Sequence, residues 1–132
     1  MILDEETFQR RLDLLLRFGE AWRRGDVDTL LSLMSDEPVY RGSTGPLPGS
    51  EARGRQAVAA AFERMVGMNR DNPPPPPAPG PRPFFFENHA LVYWHLTLPG
   101  TDGPVEVDGV DVITFDDQDR IAVKDAYRKA FT

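Results

Sequence analysis

Residues 73–83 read PPPPPAPGPRP, and this run divides the chain into two halves of different character. Proline has no backbone N–H to donate and fixes φ at about −65°, so the stretch Asn69 to Pro83 fits neither a helix nor a central strand. Five consecutive prolines favour an extended polyproline conformation. A surface connection is expected here, with a semi-rigid flap or a docking peptide for a proline-recognising partner as the alternative. Before the run, apolar residues recur at helical spacing. After it, they alternate.

In the first half, Phe8, Leu12, Leu15 and Trp22 fall at spacings of 4, 3 and 7, with Leu14, Phe18 and Ala21 widening the same side. This predicts a helix over Glu5 to Arg24, ended by Gly25. Asp26 is placed to cap a second helix, Val27 to Met34, stopped by Ser35-Asp36-Glu37-Pro38. A short strand at Val39-Tyr40-Arg41 follows, then a Gly/Pro/Ser loop from Gly42 to Ser50. A third helix is expected over Arg55 to Val66. In the second half, strands are expected at Phe84–Glu87, His89–Leu98, Val105–Phe115 and Arg120–Phe131. Helices followed by a run of antiparallel strands make an α+β domain, with a strongly curved sheet wrapped around the helices. At 132 residues the chain, 1–132, is a single domain carrying a proline-rich insert at 69–83.

Several classes of function are excluded. There is no cysteine, which removes disulfide scaffolds, thiol nucleophiles and thiolate zinc sites together. The net charge of −6 argues against a nucleic-acid partner. No run approaches the roughly 18 apolar residues of a membrane span, and the acidic start MILDEETFQRR has the wrong charge order for a secretory signal. A cytoplasmic protein is expected. No phosphate-cradling loop, nucleophile elbow or EF-hand loop is present. His89 and His95 stand six residues apart on one strand face, roughly 20 Å, too far to share an ion. Neither a metal nor a cofactor is expected.

The informative strand is Val105 to Phe115. Its odd-numbered face is the more apolar and should look toward the helices, and Asp111 is the one ionisable residue on it. A carboxylate among apolar side chains is costly unless paired. Asp111 is therefore the strongest site candidate. If Asp116–Asp119 forms a four-residue turn, Phe115 faces Arg120 and Asp111 faces Lys124, which would make an ordinary cross-strand pair. The same register sets Gly109 opposite Ala126 and Val107 opposite Arg128. Small residues beside the pair would leave a hollow; the alternative is a filled core with the charges at its rim. On the neighbouring strand Ala90, Val92, Trp94, Leu96 and Leu98 form a core or cavity wall. His95 and Tyr93 belong to a semi-polar outer face that suggests a subunit interface.

The order of elements, with Arg24-Gly25-Asp26-Val27-Asp28, Met34-Ser35-Asp36-Glu37-Pro38-Val39, Gly54-Arg55-Gln56-Ala57-Val58 and Val110-Asp111-Val112-Ile113-Thr114-Phe115 running through Arg120-Ile121 to Ala126-Tyr127, resembles the nuclear transport factor 2-like superfamily. Within it the chain is similar to ketosteroid isomerases and SnoaL-like polyketide cyclases. The resemblance covers nearly everything except the proline insert. It implies a cone-shaped fold, three N-terminal helices packed in a strongly curved antiparallel sheet with a central hydrophobic pocket, and a homodimer formed through the outer sheet face.

The resemblance places Asp111 at the strand aspartic acid of the isomerase oxyanion hole. Phe18 then stands at the helix tyrosine, Gly42 at the proton-shuttling base, and Met34 and Phe62 at two supporting tyrosines. One polar member is kept and four are apolar or glycine, so true ketosteroid isomerase activity is not expected. The Arg-Asp pair of limonene epoxide hydrolases would fall near Asp125-Ala126, without the essential acid. The resulting expectation is a small cofactor-independent isomerase, cyclase or lyase acting on an apolar carbonyl compound, polyketide- or steroid-like. Asp111 would be its acid/base or hydrogen-bond donor. Phe18, Trp22 and Trp94 would form apolar walls, Tyr40 or Arg41 would lie near the mouth, and Lys124 and Arg128 would contact the ligand. Trp22 and Arg128, at pocket-lining positions, would reshape the pocket toward a smaller ligand, anionic ones included. The alternative is a non-catalytic ligand-binding or dimerisation domain of the same fold. Asp111 could be a neutral donor or a carboxylate paired with Lys124.

Overall fold

The computed structural model describes residues 3–129. Helix α1 spans Glu5–Arg24, and its N-cap Asp4 accepts a 2.7 Å hydrogen bond from the Thr7 N–H. Gly25 closes it in the left-handed conformation at φ 66°, where a side chain would also overlap the Val66 carbonyl oxygen. Glycine meets both demands at once. Asp26 caps α2, Val27–Ser32, through the Thr29 N–H. Strand β1 spans Met34–Arg41, β2 Glu51–Arg53 and α3 Arg55–Val66, with a single 3-10 turn at Gly67–Arg70. Beyond the proline segment lie β3 Phe84–Phe86, β4 His89–Leu98, β5 Val105–Phe115 and β6 Ile121–Arg128.

The six strands form one sheet in the order β2-β1-β6-β5-β4-β3. All pairings are antiparallel except β1 with β6, which is parallel. The sheet is therefore mixed, because β1 is laid down before α3 and meets β6 only after the whole chain has passed around the helices. Several boundaries also differ from expectation, β3 ending at Phe86 and not Glu87 among them. Helix α2 stops at Ser32, and β1 takes up Met34 through Pro38, with Pro38 at a register break where its missing N–H is tolerated. The three-residue β2 follows the glycine-rich loop and is too short to show a period. Strand β6 begins at Ile121 and ends at Arg128, with Lys129 already outside it, while the rest of the expected extension, 130–131, lies outside the described residues.

The helices pack on the inner face of the sheet. Leu30, Met34, Val58, Phe62, Ile113 and Ile121 are fully buried there. Phe62 is the hub, edge-to-face with Phe18, Trp22 and Tyr40 at centroid distances of 6.1, 5.2 and 5.4 Å. Burying one such ring contributes roughly 2–3 kcal/mol.

One end of this core is closed by a charged residue. Arg11, 5% exposed, donates to Asp119 Oδ1 at 2.9 Å, to the Glu87 carbonyl at 3.1 Å and to Asn88 Oδ1 at 3.3 Å, with its guanidinium 4.7 Å over the Phe115 ring. It thereby ties α1 to the β5–β6 and β3–β4 turns. The proline segment runs exposed, and Arg23 donates to the Pro74 carbonyl at 2.7 Å, holding its start against α1.

Candidate functional site

The inner face of β5 carries Val107, Gly109, Asp111, Ile113 and Phe115 toward the helices, so the strand alternation places Asp111 where expected. The cross-strand register differs. Phe115 pairs with Ile121, and a bulge leaves Ala122 as an extra residue before Thr114 pairs with Val123. Asp111 therefore stands opposite Ala126, Gly109 opposite Arg128, and Lys124 opposite Ile113. The five-residue turn, closed by the Asp116 N–H to the Arg120 carbonyl at 2.8 Å, and the bulge each add one position. Two positions restore the parity, so Lys124 keeps the inner face. It reaches Asp111 along the diagonal.

Asp111 is 8% exposed and Lys124 6% exposed. Asp111 Oδ2 accepts from Lys124 Nζ at 2.8 Å, and Oδ1 accepts from Trp94 Nε1 at 3.0 Å. Both oxygens are engaged as acceptors, so the neutral-donor alternative has no partner in this arrangement. The arrangement is the paired carboxylate. Lys124 Nζ in turn lies 4.7 Å from the Trp22 ring centroid and 5.4 Å from that of Tyr40, so two aromatic faces complete the surroundings of the ammonium. Burial, together with the Asp111 charge, pushes the Tyr40 phenol up to about 12. Tyr40 is therefore a neutral wall residue at ordinary pH.

Phe18 stacks behind Trp22 at 6.3 Å as a second layer. Arg128 is half-buried beside the site, opposite Gly109, and makes no bond to Asp111 among the described residues. Arg41 lies at the rim, paired with Glu51 at 3.2 Å and Asp125 at 3.5 Å. The structure thus assembles Asp111, Lys124, Trp94, Trp22, Tyr40 and Phe18 in one group and leaves Arg128 at its edge. Of the two arrangements expected beside the pair, a hollow or a filled core, the filled one holds at Gly109, where the Trp94 indole occupies the space. Trp94 lies flat on Gly109, so a Cβ there would overlap three atoms of its ring. Two open surface depressions, of about 490 and 400 Å³, flank Gly25 and Asp26 on the helical side and do not include Asp111.

Sequence reasoning missed the Trp94 N–H to Asp111 bond, which depends on a side-chain rotation rather than on spacing. It also missed the outer-face cluster in which His95 Nδ1 bonds Asp108 Oδ1 at 2.7 Å while Nε2 contacts Glu106. Bonds to Asp108 first and Glu106 second hold the imidazole above its usual range. Among the described residues no three His, Cys, Asp or Glu side chains stand in a metal-ligating arrangement, and no helix is long and apolar enough to cross a membrane.

The SnoaL-like domain matches residues 15–124. Among solved structures, an NTF2-like protein of unknown function from Mesorhizobium loti is similar with a TM-score of 0.64 at 24% identity, covering 98% of each chain. Bal32a, from a soil-derived mobile gene cassette, is similar with a TM-score of 0.69 at 16% identity, covering 91% of this chain and 89% of its own. No curated protein matches this chain.

Proposed function

This chain belongs to the SnoaL-like domain family, and from that membership we propose that it is a cofactor-independent enzyme of isomerase, cyclase or lyase type acting on an apolar carbonyl compound, polyketide- or steroid-like. The observation that carries this reading is the Asp111–Lys124 pair, 2.8 Å apart under the rings of Trp22, Tyr40 and Trp94. An ammonium in a dry aromatic site is a preorganised partner for a carbonyl oxygen that gains negative charge as a neighbouring proton leaves. Asp111 is the adjacent acceptor for that proton, since each carboxylate oxygen keeps an unused lone pair. Lys124 takes the oxyanion role here, and Asp111 the role of base.

The test is proton exchange at the carbon next to the carbonyl in a panel of small enones and aryl ketones, followed by NMR in deuterated water with the wild type, Asp111→Asn and Lys124→Met. Exchange should fall by about 10²–10⁴ in Asp111→Asn, the usual worth of a positioned base. Equal binding with no exchange in all three proteins would remove the pair from any catalytic role. A second reading, a non-catalytic ligand-binding domain, is favoured by the depth of the pair beneath the two indoles, and it predicts that same outcome.

The partner proposed for the outer sheet face is a second copy of this chain. Tyr93, Val110 and Tyr127 stand side by side across β4, β5 and β6, with both tyrosines more than half exposed. Sedimentation should give a dimer that Tyr93→Arg dissociates; a monomeric wild type would refute this.

A further inference from the structure

Trp94 is placed unlike the other aromatic residues of the site. It sits on β4 directly opposite Gly109, and its ring covers the glycine so closely that no Cβ would fit. Its Nε1 reaches 3.0 Å to Asp111 Oδ1. Strand β3 pairs only with His89–Leu91, so from Val92 onward β4 has no outer neighbour among the described residues. Trp94 itself is half-buried. The indole therefore fills a flat slot with a glycine floor and a carboxylate at its inner end, and no neighbouring strand covers its edge side among the described residues.

We propose that Trp94 is an internal occupant of the ligand slot, and that the slot takes a planar aromatic molecule with an N–H or O–H donor on the ring edge, which replaces the indole at Asp111. The contacts of Trp94 specify the ligand. The bare Gly109 backbone accepts a flat ring. Asp111 accepts one hydrogen bond and repels an anionic substituent at that point. Lys124, 2.8 Å beyond, offers a cation to a carbonyl on the same molecule. A hydroxyaryl ketone satisfies both ends. This rests on the reading of the cone interior as a ligand site and narrows its substrate class.

The experiment has two arms. In Trp22→Phe, Trp94 is the sole tryptophan, since the chain has two. Phenol should shift its emission to longer wavelength and raise its quenching by acrylamide, while anisole, which lacks the donor, should do neither. In Trp94→Ala the emptied slot should bind indole about tenfold more tightly than 1-methylindole, the worth of one hydrogen bond to a charged acceptor. Asp111→Asn in that background should erase most of the preference. Unchanged Trp94 emission with phenol bound, or equal binding of the two indoles, would overturn the proposal. Should Trp94→Ala lose its circular dichroism signal, Trp94→Phe serves instead. It keeps bulk but not the competing N–H, so phenol should bind it about tenfold more tightly than wild type, and equal affinity would overturn the proposal. Donor selectivity without proton exchange on enones defeats only the catalytic reading. Exchange without donor selectivity defeats only the slot.

Discussion

Lys124 stands opposite Ile113 in the sheet, yet its Nζ lies 2.8 Å from Asp111 Oδ2, two pairs further along and the next on the same face. The reach is possible because the cross-strand neighbour of Asp111 is Ala126, whose small side chain leaves the diagonal open. The charges are thus buried together, with Trp94, Trp22 and Tyr40 as their aromatic neighbours.

Breaking this pair on one side should be far worse than removing both members. Lys124→Met leaves a buried carboxylate with one donor and should cost about 3–5 kcal/mol in urea unfolding. Asp111→Leu combined with Lys124→Met removes both charges and should recover most of that loss. A double variant as unstable as Lys124→Met alone would show that the stability of the site does not come from charge pairing.

Gly109 is required by Trp94 and not by its backbone, which has no positive φ. Gly109→Ala drives a methyl into the indole and should destabilise by about 1–3 kcal/mol, the usual cost of overpacking. In a Trp94→Ala background the same substitution should cost little, because the obstructing ring is gone. Thermal unfolding of the four proteins closes the cycle, and an additive result would refute the contact.

The legible parts of this molecule were the ones governed by local period. Helix α1 was readable over its whole length because cap, apolar stripe and terminal glycine agree, and Asp111 was readable because one acid interrupts an alternating apolar face. The partnership of Asp111 with Lys124 was readable as well, but its register was not, since the Ala122 bulge is invisible to alternation. The parallel β1–β6 pairing was equally hidden, because it joins segments from opposite ends of the chain. Arg11 follows the apolar stripe of α1 at the right spacing, four before Leu15, but its burial makes sense only once Asp119, Glu87 and Asn88 converge on it.

That convergence sets an acid limit on stability. Burial pushes the Asp119 carboxyl up, but hydrogen bonds from Arg10 and Arg11 outweigh it and hold the group below the usual carboxylate range. A depressed folded value means stabilisation that is complete above the unfolded value of about 3.9 and is lost as pH falls through the folded one. Asp119→Asn should therefore flatten the acid limb of the stability–pH curve below about pH 4. At neutral pH it should destabilise by about 3 kcal/mol, because Arg11 is left buried without its carboxylate. A variant with an unaltered acid limb would assign the acid sensitivity to another group.

His95 carries the opposite sign. Its bonds to Asp108 and Glu106 raise the folded value above 6.5, so their stabilisation is complete below about pH 6.5 and is lost as pH rises through the folded value. The group lies on the outer face of the sheet, two residues from Tyr93, where a second copy is proposed to dock. NMR titration of the imidazole should give a midpoint above 6.5 in the wild type that moves down toward it in Asp108→Asn and further in Asp108→Asn with Glu106→Gln. An unshifted midpoint in the double variant would mean that neither carboxylate holds the proton on His95.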